Sequence, residues 1–514
     1  MFLLALALVA GLLQAASIAA PWSGQPLWWL QLVSLATLAW LVQQAPSWRR
    51  AALLGWTFAS AWLAATFWWL FISMHVYGGL PAPLAVIAVL GLAAFLGAYY
   101  AAACAVFAAL DRPGRLWRGL VFAALWLLAE QLRVSWFTGF PWGAGGYAHV
   151  DGPLAFLAPR IGVHGIGFVA ALLAFALSLL PRRATLTSWR YWAAIAGAAG
   201  LLAACNMAAV PARAAADLPR LSVALLQGNI PQDEKFQGGT GIPVALDWYG
   251  RQLRESTASL IVAPETALPM LPQQLPAGYI EGLRARFAQG QQAALIGIPL
   301  GSLEEGYTNS VVGLKPGGAV YRFDKHHLVP FGEFIPPLFR WFTDLMDIPL
   351  GDFNRGPIGQ PAFEWQGQRL APNICYEDLF GEELGAQFAD PASAPTILVN
   401  VSNIAWFGNT VAIDQHLQIS RMRALEFERP MIRATNTGAT VIIDHQGRVT
   451  HALARHTRGV LTGEVEGRTA ITPYARWVSR LGLWPWWLLG LAIVALAVRR
   501  QRAGAADRAG SAAA

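Results

Sequence analysis

The chain has 514 residues, 55% hydrophobic and 13% charged, with 23 Trp and 25 Phe, a composition too apolar for an ordinary soluble protein of that length. Its formal net charge of +7 is unevenly placed: Met1 to Val210 holds ten Arg, no Lys and three acids (Asp111, Glu130, Asp151), Pro211 to Arg480 holds 23 basic and 26 acidic residues, and the remainder nets +3. The basic excess therefore belongs to membrane-flanking arginines, which excludes reading it as a nucleic-acid signal.

In chain order, apolar stretches near the roughly 20 residues that a bilayer core requires run over 2–20, 26–43, 52–74, 82–109, 120–137, 162–180 and 192–210, with a shorter last one over 483–498. The fifth contains Glu130 and Arg133, whose i, i+3 spacing puts them on one helix face where they can neutralise each other. Trp484, Trp486 and Trp487 form an interfacial belt at the last, and the arginines after it a stop. Arginine placement tests this count. With the N-terminus inside, Arg49 and Arg50, then Arg112, Arg115 and Arg118, then Arg182, Arg183 and Arg190, and finally Arg499, Arg500, Arg502 and Arg508 fall on the inner side. The outer loops 21–25 and 75–81 carry none, and 138–161 carries only Arg160. Eight transmembrane helices follow: seven in a domain over 1–210 and one in the segment 481–514, with 211–480 outside the cytoplasm. No basic residue precedes the first apolar run, so 2–20 reads as a span and not as a cleaved signal peptide. Cys104 and Cys205 fall within spans and read as small packing residues.

The polar stretch 211–480 alternates strand-like runs (221–227, 259–263, 293–298, 309–314, 396–401, 439–444) with helical patterns (243–257, 276–289, 378–389, 411–428), which predicts an α/β domain with a buried sheet. It has no GxGxxG, no P-loop and no metal-spaced His/Cys cluster, so neither cofactor nor metal is expected. The adjacent His326 and His327 suit neither a helix-face nor a strand-face ligand pair. Cys375 is the sole cysteine of this stretch and has no partner for an internal disulfide, which leaves packing or chemistry.

Three short motifs favour chemistry. IVAPETALP places Glu265 just past an apolar strand, FDKHHLVPFGEFIP supplies Lys325 and Glu333, and APNICYEDLF places Cys375 at another strand end before a helical pattern. A thiol is a strong nucleophile only as thiolate; a carboxylate takes its proton, and an ammonium lowers the energy of the thiolate and of a later oxyanion. Each residue alone has a structural reading as a surface ion pair or a small core group; the ordered triple at strand ends is what points to acyl transfer through a thioester.

The same motifs, with QGNIPQ at 227–232, YTNS at 307–310, NVSNIAWFGNT, DQH, RATNTG and the upstream TGFPWGAGGY at 138–147, resemble the apolipoprotein N-acyltransferases, a membrane branch of the nitrilase superfamily, over nearly the whole chain. The resemblance implies a nitrilase-like αββα sandwich facing the periplasm on eight transmembrane helices of a bacterial inner membrane. It implies Glu265 as general base, Lys325 as oxyanion and thiolate stabiliser and Cys375 as acylated nucleophile, with Glu333 as a supporting carboxylate and Tyr376 and Glu377 as neighbours. Asn309 and Asn229 lie in matched motifs, where a structural hydrogen-bonding role is equally open. Phe236 stands where the family often has Trp. The implied reaction moves an acyl chain from a phospholipid to the α-amine of a diacylated lipoprotein by a ping-pong route, in a protein expected to act as a monomer among membrane lipid.

The aromatic segment 331–346 reads either as a mobile lipid-facing flap or as domain core. Phe334, Arg340 and Trp341 within it, with Phe236, are candidate substrate contacts, Arg340 through a lipid phosphate. Two rival readings are a membrane-tethered amidase, which has no need of eight spans, and a transporter, which leaves the triad without purpose.

Overall fold

Near-uninterrupted Ala, Leu, Val and Phe leave the backbone of the first third no internal partner but its own, so it winds into helices. The computed structural model describes residues 1–110, 114–180, 189, 193, 197, 218–302, 304–317, 320–335 and 353–513. Nearly all of the candidate span 192–210, with Cys205, Arg112, Arg182, Arg183 and Arg190, lies outside them. Two units are distinguished: one of Met1–Trp68, Val86–Pro211 and Leu481–Ala514, the other of Trp69–Ala85 and Ala212–Arg480.

Among the described residues of the first unit the helices are α1 (Phe2–Ile18), α2 (Trp28–Gln44), α3 (Trp48–Thr66), α4 (Ala82–Ala109, which begins in the other unit), α5 (Arg115–Ser135) and α6 (Ala158–Leu177), with a C-terminal helix over Trp484–Ala513. By length and composition Ala82–Ala109, Arg115–Thr138 and Ala155–Leu177 can cross a membrane, and the bent pair Pro473–Leu481 and Trp484–Ala503 makes a fourth if counted as one span. Cys104 is buried in α4. Its Sγ lies where a Cβ on Gly55 of α3 would be 2.6 Å away, so glycine there permits close helix packing.

Glu130 and Arg133 on α5 are fully buried and 3.9 Å apart, as their spacing predicts. Arg133 donates to the carbonyls of Phe140 (2.9 Å) and Trp142 (2.7 Å) and to the Tyr100 hydroxyl (3.2 Å), while Glu130 accepts from the Gly145 amide at 3.0 Å. The pair thus fastens the TGFPWGAGGY loop, giving its backbone polar groups partners in an apolar interior.

The stretch 52–74 departs from its expected single span. The helix α3 ends at Thr66, and Ile72–Tyr77 forms a separate π-helix. Trp69, in the second unit, donates its indole N–H to Gln415 Oε1 at 3.0 Å and packs 4.2 Å from the Phe407 ring. Hydropathy counts these aromatics as lipid-facing, whereas packing uses them as a strap on the α/β unit.

Among its described residues the second unit holds two six-stranded sheets, ordered β12-β1-β2-β3-β4-β5 and β11-β10-β9-β8-β7-β6. Their strands are β1 (Leu221–Gln227), β2 (Leu260–Ala263), β3 (Ala293–Ser302), β4 (Gly306–Leu314), β5 (Tyr321–Asp324), β6 (Phe363–Trp365), β7 (Gln368–Ile374), β8 (Ile397–Ser402), β9 (Met431–Thr435), β10 (Val441–Ile443), β11 (Val449–Ala452) and β12 (Gly459–Val465). The three central strands of each sheet run parallel, β1-β2-β3 and β7-β8-β9, flanked by antiparallel neighbours. Strand alternation splits the side chains: Val223, Leu225 and Val262 meet Leu370, Val399, Val401 and Ile432 between the sheets, while Leu226, Ile261 and Ile296 pack outward on Tyr249 and Leu253 of α7 (Gly241–Glu255) and on Leu283 and Phe287 of α8 (Tyr279–Gln289). The helix α9 (Ala412–Phe427) lies between β8 and β9 in sequence and is buried along most of its length. The result is the expected layered α/β sandwich. Over 378–389, where one helix was expected, the chain instead makes a 3-10 turn, a short helix over Gly381–Gly385 and another 3-10 turn.

Candidate active site

Glu265, Lys325 and Cys375 each follow closely on a strand, β2, β5 and β7, where a sheet delivers side chains beyond its last hydrogen bond. Glu265 follows β2. A Cβ on Gly297 of β3 would come 2.7 Å from the Glu265 Cα, so the adjoining strand must carry glycine for this turn to lie so close. Glu265 Oε1 accepts from Asn309 Nδ2 of β4 at 2.7 Å and from Lys325 Nζ at 3.3 Å, and its Oε2 accepts from the Asn403 backbone N–H at 2.7 Å. Lys325 follows β5, its own amide donating to the Asn309 carbonyl at 2.8 Å. Its ammonium also contacts Glu333 at 2.9 Å (Oε1) and 2.8 Å (Oε2), and Asn309 Nδ2 reaches Glu333 Oε1 at 2.7 Å. One amide and one ammonium therefore bridge two carboxylates.

Cys375 follows directly on β7 with φ +52°, in the left-handed region that non-glycine residues rarely occupy. Its half-buried thiol interacts electrostatically with Glu265, Lys325 and Glu333. Burial pushes the thiol up to about 12, Glu265 and Glu333 push the same way, and Lys325 and the Ser402 hydroxyl oppose them. At neutral pH the sulfur therefore keeps its proton until a base takes it. Burial also works against charge on Glu265, but Lys325, Asn309, Lys235 and the Asn403 amide outweigh it and hold the carboxyl below the usual range. Burial disfavours the Lys325 ammonium too, yet Glu265 and Glu333 raise it above an ordinary lysine. The resting arrangement is a thiol beside an ionised carboxylate and a fixed cation.

The neighbours divide into two kinds. Glu377 accepts from the backbone amides of His326 (2.6 Å), His327 (3.3 Å) and Ile374 (2.6 Å), tying the Lys325 loop to the strand that carries Cys375. Burial pushes its carboxyl up to about 8, against those three amides and Lys325. The Tyr376 ring is buried among Phe380, at 5.3 Å, and His327, at 5.6 Å. His327 stacks on Phe380 at 3.5 Å and meets Glu383 at 2.9 Å, and His326 Nδ1 lies 2.6 Å from the Gly356 carbonyl. Asn229 bonds the backbone of Asn436 and His456 and joins loops without touching the carboxylate cluster. Phe334 closes a tight turn next to Glu333, its carbonyl accepting from the Phe331 amide at 2.8 Å. Arg340, Trp341 and the flap residues 336–346 lie outside the described residues.

Two participants escape sequence reading. Lys235 is buried, donates from Nζ to the Glu265 carbonyl at 3.1 Å, and lies over the Phe236 ring at 5.9 Å. Burial drags its amine down to about 7, with Glu265 and Cys375 pulling upward. A usable signal existed: the chain has only three lysines, Lys235, Lys315 and Lys325, so a lysine beside QGNIPQ was worth weighing. The other is Asn403, whose amide holds Glu265 and whose side chain donates to Gln232 Oε1 at 2.8 Å. Asn436 Nδ2 in turn donates to Asn403 Oδ1 at 3.1 Å. QGNIPQ, NVSN and RATNTG, far apart in sequence, thereby meet at one carboxylate.

Residues 10–176 match the apolipoprotein N-acyltransferase N-terminal domain and residues 202–474 match the carbon-nitrogen hydrolase family. Apolipoprotein N-acyltransferase of Verminephrobacter eiseniae is 64% identical over 500 residues, covering 93% of this chain and 92% of the relative. The chain belongs to the apolipoprotein N-acyltransferase family. The enzyme of that name from Ralstonia nicotianae is 47% identical over 485 residues, covering 93% of this chain and 91% of its own. Among solved structures, a mutant amidase of the nitrilase superfamily from Nesterenkonia AN1 aligns at TM-score 0.37 and 18% identity, over 52% of this chain and 97% of its own.

Proposed function

We propose that this family member transfers an acyl chain from a phospholipid, through a thioester on Cys375, to the N-terminal α-amine of a diacylglyceryl-modified lipoprotein. The observation that carries the reading is the meeting of Glu265, Lys325, Glu333 and Asn309 in one hydrogen-bonded cluster that is electrostatically coupled to the Cys375 thiol. In the first half-reaction Glu265 takes the thiol proton as sulfur attacks the ester carbonyl. The C–O bond then breaks, and Glu265 returns the proton to the departing oxygen, which leaves as the lysophospholipid hydroxyl. In the second half the free lipoprotein amine attacks the thioester carbonyl and gives a proton to Glu265, the C–S bond breaks, and Glu265 passes that proton to the departing sulfur to restore the thiol. The Lys325 ammonium faces the negative charge that develops on sulfur and on the carbonyl oxygen, at no cost in reorganisation because two carboxylates already hold it. Glu333 fixes that ammonium and Asn309 orients the two carboxylates around it, while Tyr376 and Glu377 shape the turn around the nucleophile.

Both substrates carry acyl chains too costly to expose to water. A catalytic domain over 211–480 in the periplasm, anchored on eight spans in the inner membrane and acting as a monomer, meets that requirement, with Phe236, Phe334, Arg340 and Trp341 as lipid contacts. The test is intact-mass analysis of the purified protein after incubation with phospholipid and then with a diacylated lipopeptide. An acyl mass gained on Cys375 and lost on adding the amine is expected; full transfer by Cys375→Ala would refute the route. Loss of the acyl mass to water at the same rate without the amine would instead favour a hydrolase.

A further inference from the structure

Beneath the nucleophile lies a second buried polar cluster that the thioester route above does not use. His416 on α9 places Nε2 2.8 Å from Asp378 Oδ1 and 3.2 Å from the carbonyl oxygen of Cys375. Its Nδ1 faces Arg433 Nη2 on β9 at 2.8 Å. Ser420, one turn along α9, donates to Asp378 Oδ2 at 2.5 Å and accepts from Arg433 Nη1 at 2.6 Å. All four side chains are buried.

The tautomer follows from donor chemistry. A guanidinium only donates, so the ring nitrogen facing Arg433 must present its lone pair. The proton therefore sits on Nε2, where it is shared between the Asp378 carboxylate and the Cys375 carbonyl. Burial and the neighbouring Arg433 both lower the imidazole below its ordinary range, in keeping with a neutral ring.

The Cys375 carbonyl receives a second side-chain donor, Asn400 Nδ2 at 3.3 Å, itself anchored on Asn373 Oδ1 at 2.7 Å. Cys375 needs such holding, because a left-handed φ strains a residue with a Cβ and persists only where its surroundings over-determine it. The 375–376 peptide is planar and trans. Fixing its oxygen on the buried side also fixes the Tyr376 N–H on the opposite edge of the turn.

We propose that His416, locked in its Nε2–H tautomer by Arg433 and clamped by Asp378 and Ser420, is a positioning residue that holds the Cys375 turn in its reactive conformation. It acts through the backbone and never exchanges a proton with substrate. The inference rests on Cys375 being the acylated residue.

The experiment measures the rate constant for thioester formation on the full chain, by rapid-quench intact mass over a series of phospholipid concentrations, per folded molecule. His416→Leu is expected to slow acylation about 100-fold, with half-saturation moving less than roughly threefold, as for a misplaced reacting group. His416→Gln, whose amide N–H reaches the place of Nε2, should recover to within roughly tenfold of the parent. A purely structural role predicts instead a lowered melting temperature with an unchanged rate per folded molecule, or equal loss in both variants, and either result overturns the proposal. Should His416→Leu not fold, Ser420→Ala carries the test. It should slow acylation about five- to tenfold at unchanged half-saturation, and an unchanged rate overturns the proposal. Acyl mass on a residue other than Cys375 in the parent protein is a separate outcome that removes the functional reading itself.

Discussion

Two buried acid–base clusters show how differently the same chemistry can be employed. In the helical unit, Glu130 and Arg133 spend their hydrogen bonds on backbone groups of the 140–145 loop and on Tyr100. In the α/β unit, Glu265, Glu333 and Lys325 bond chiefly to one another and to Asn309, and share their field with a thiol. A charge whose partners are fixed backbone dipoles has nowhere to send a proton. A charge whose partner is another titratable group beside a thiol does, so on the proposed route the partners and not the burial separate scaffold from chemistry.

The largest effect that sharpens this contrast is expected from Lys325→Met and Glu265→Gln. Each should lower thioester formation about 10,000-fold or more, as losses of single members of a catalytic unit do, with the fold retained by circular dichroism. Glu130→Ala should do the reverse. Leaving Arg133 buried and unpaired costs about 3–5 kcal/mol, read as a lower melting temperature, while acylation per folded molecule stays at the parent rate; a selective fall in that rate would break the distinction.

Lys235→Met tests the edge between the two kinds. Lys235 sits near 7 in the folded chain and near about 10.4 when unfolded, so between those values the unfolded chain binds more protons and stability rises with pH. The penalty of burying this ammonium is full below 7 and fades above it. The variant should show a flatter stability–pH curve across that window in denaturant titrations. Its acylation deficit should be greatest well below 7, where the parent carries the extra cation beside Glu265, and least well above it. Phe236→Leu should have the smallest effect, removing a ring contact with Lys235 worth about 0.5–1 kcal/mol and slowing transfer two- to fivefold.

How much of this was legible depended on whether a residue's partners lie near it in sequence. Strand-end placement of Glu265 and Cys375 could be read from IVAPE and APNIC, because short apolar runs closed by polar residues have few other folds to adopt. The strands β5, β6, β9, β11 and β12 give no such signal, since YRFD, FEW, MIRAT, VTHA and GVLTGEV are short or carry charges or glycine that mask their alternation, and of β7 only the end is marked. Lys235 in QDEKF looks like a solvated loop cation, and only the carbonyl of Glu265, thirty residues away, reveals otherwise. His416 was visible as part of DQH without a role, because its partners come from two other elements. The aromatic run near Trp69 satisfied a hydropathy window while its indole was committed to Gln415. The membrane-like composition was plain, but hydropathy alone could not separate span from strap.

The sheet carrying Glu265 and the sheet carrying Cys375 are separate until their faces stack. On the proposed route, a half-assembled chain in a bilayer crowded with esters would hold a thiol without its base, inert toward the lipid around it. On that route, reactivity requires the two sheets to be packed face to face, so assembly itself would serve as the safety catch.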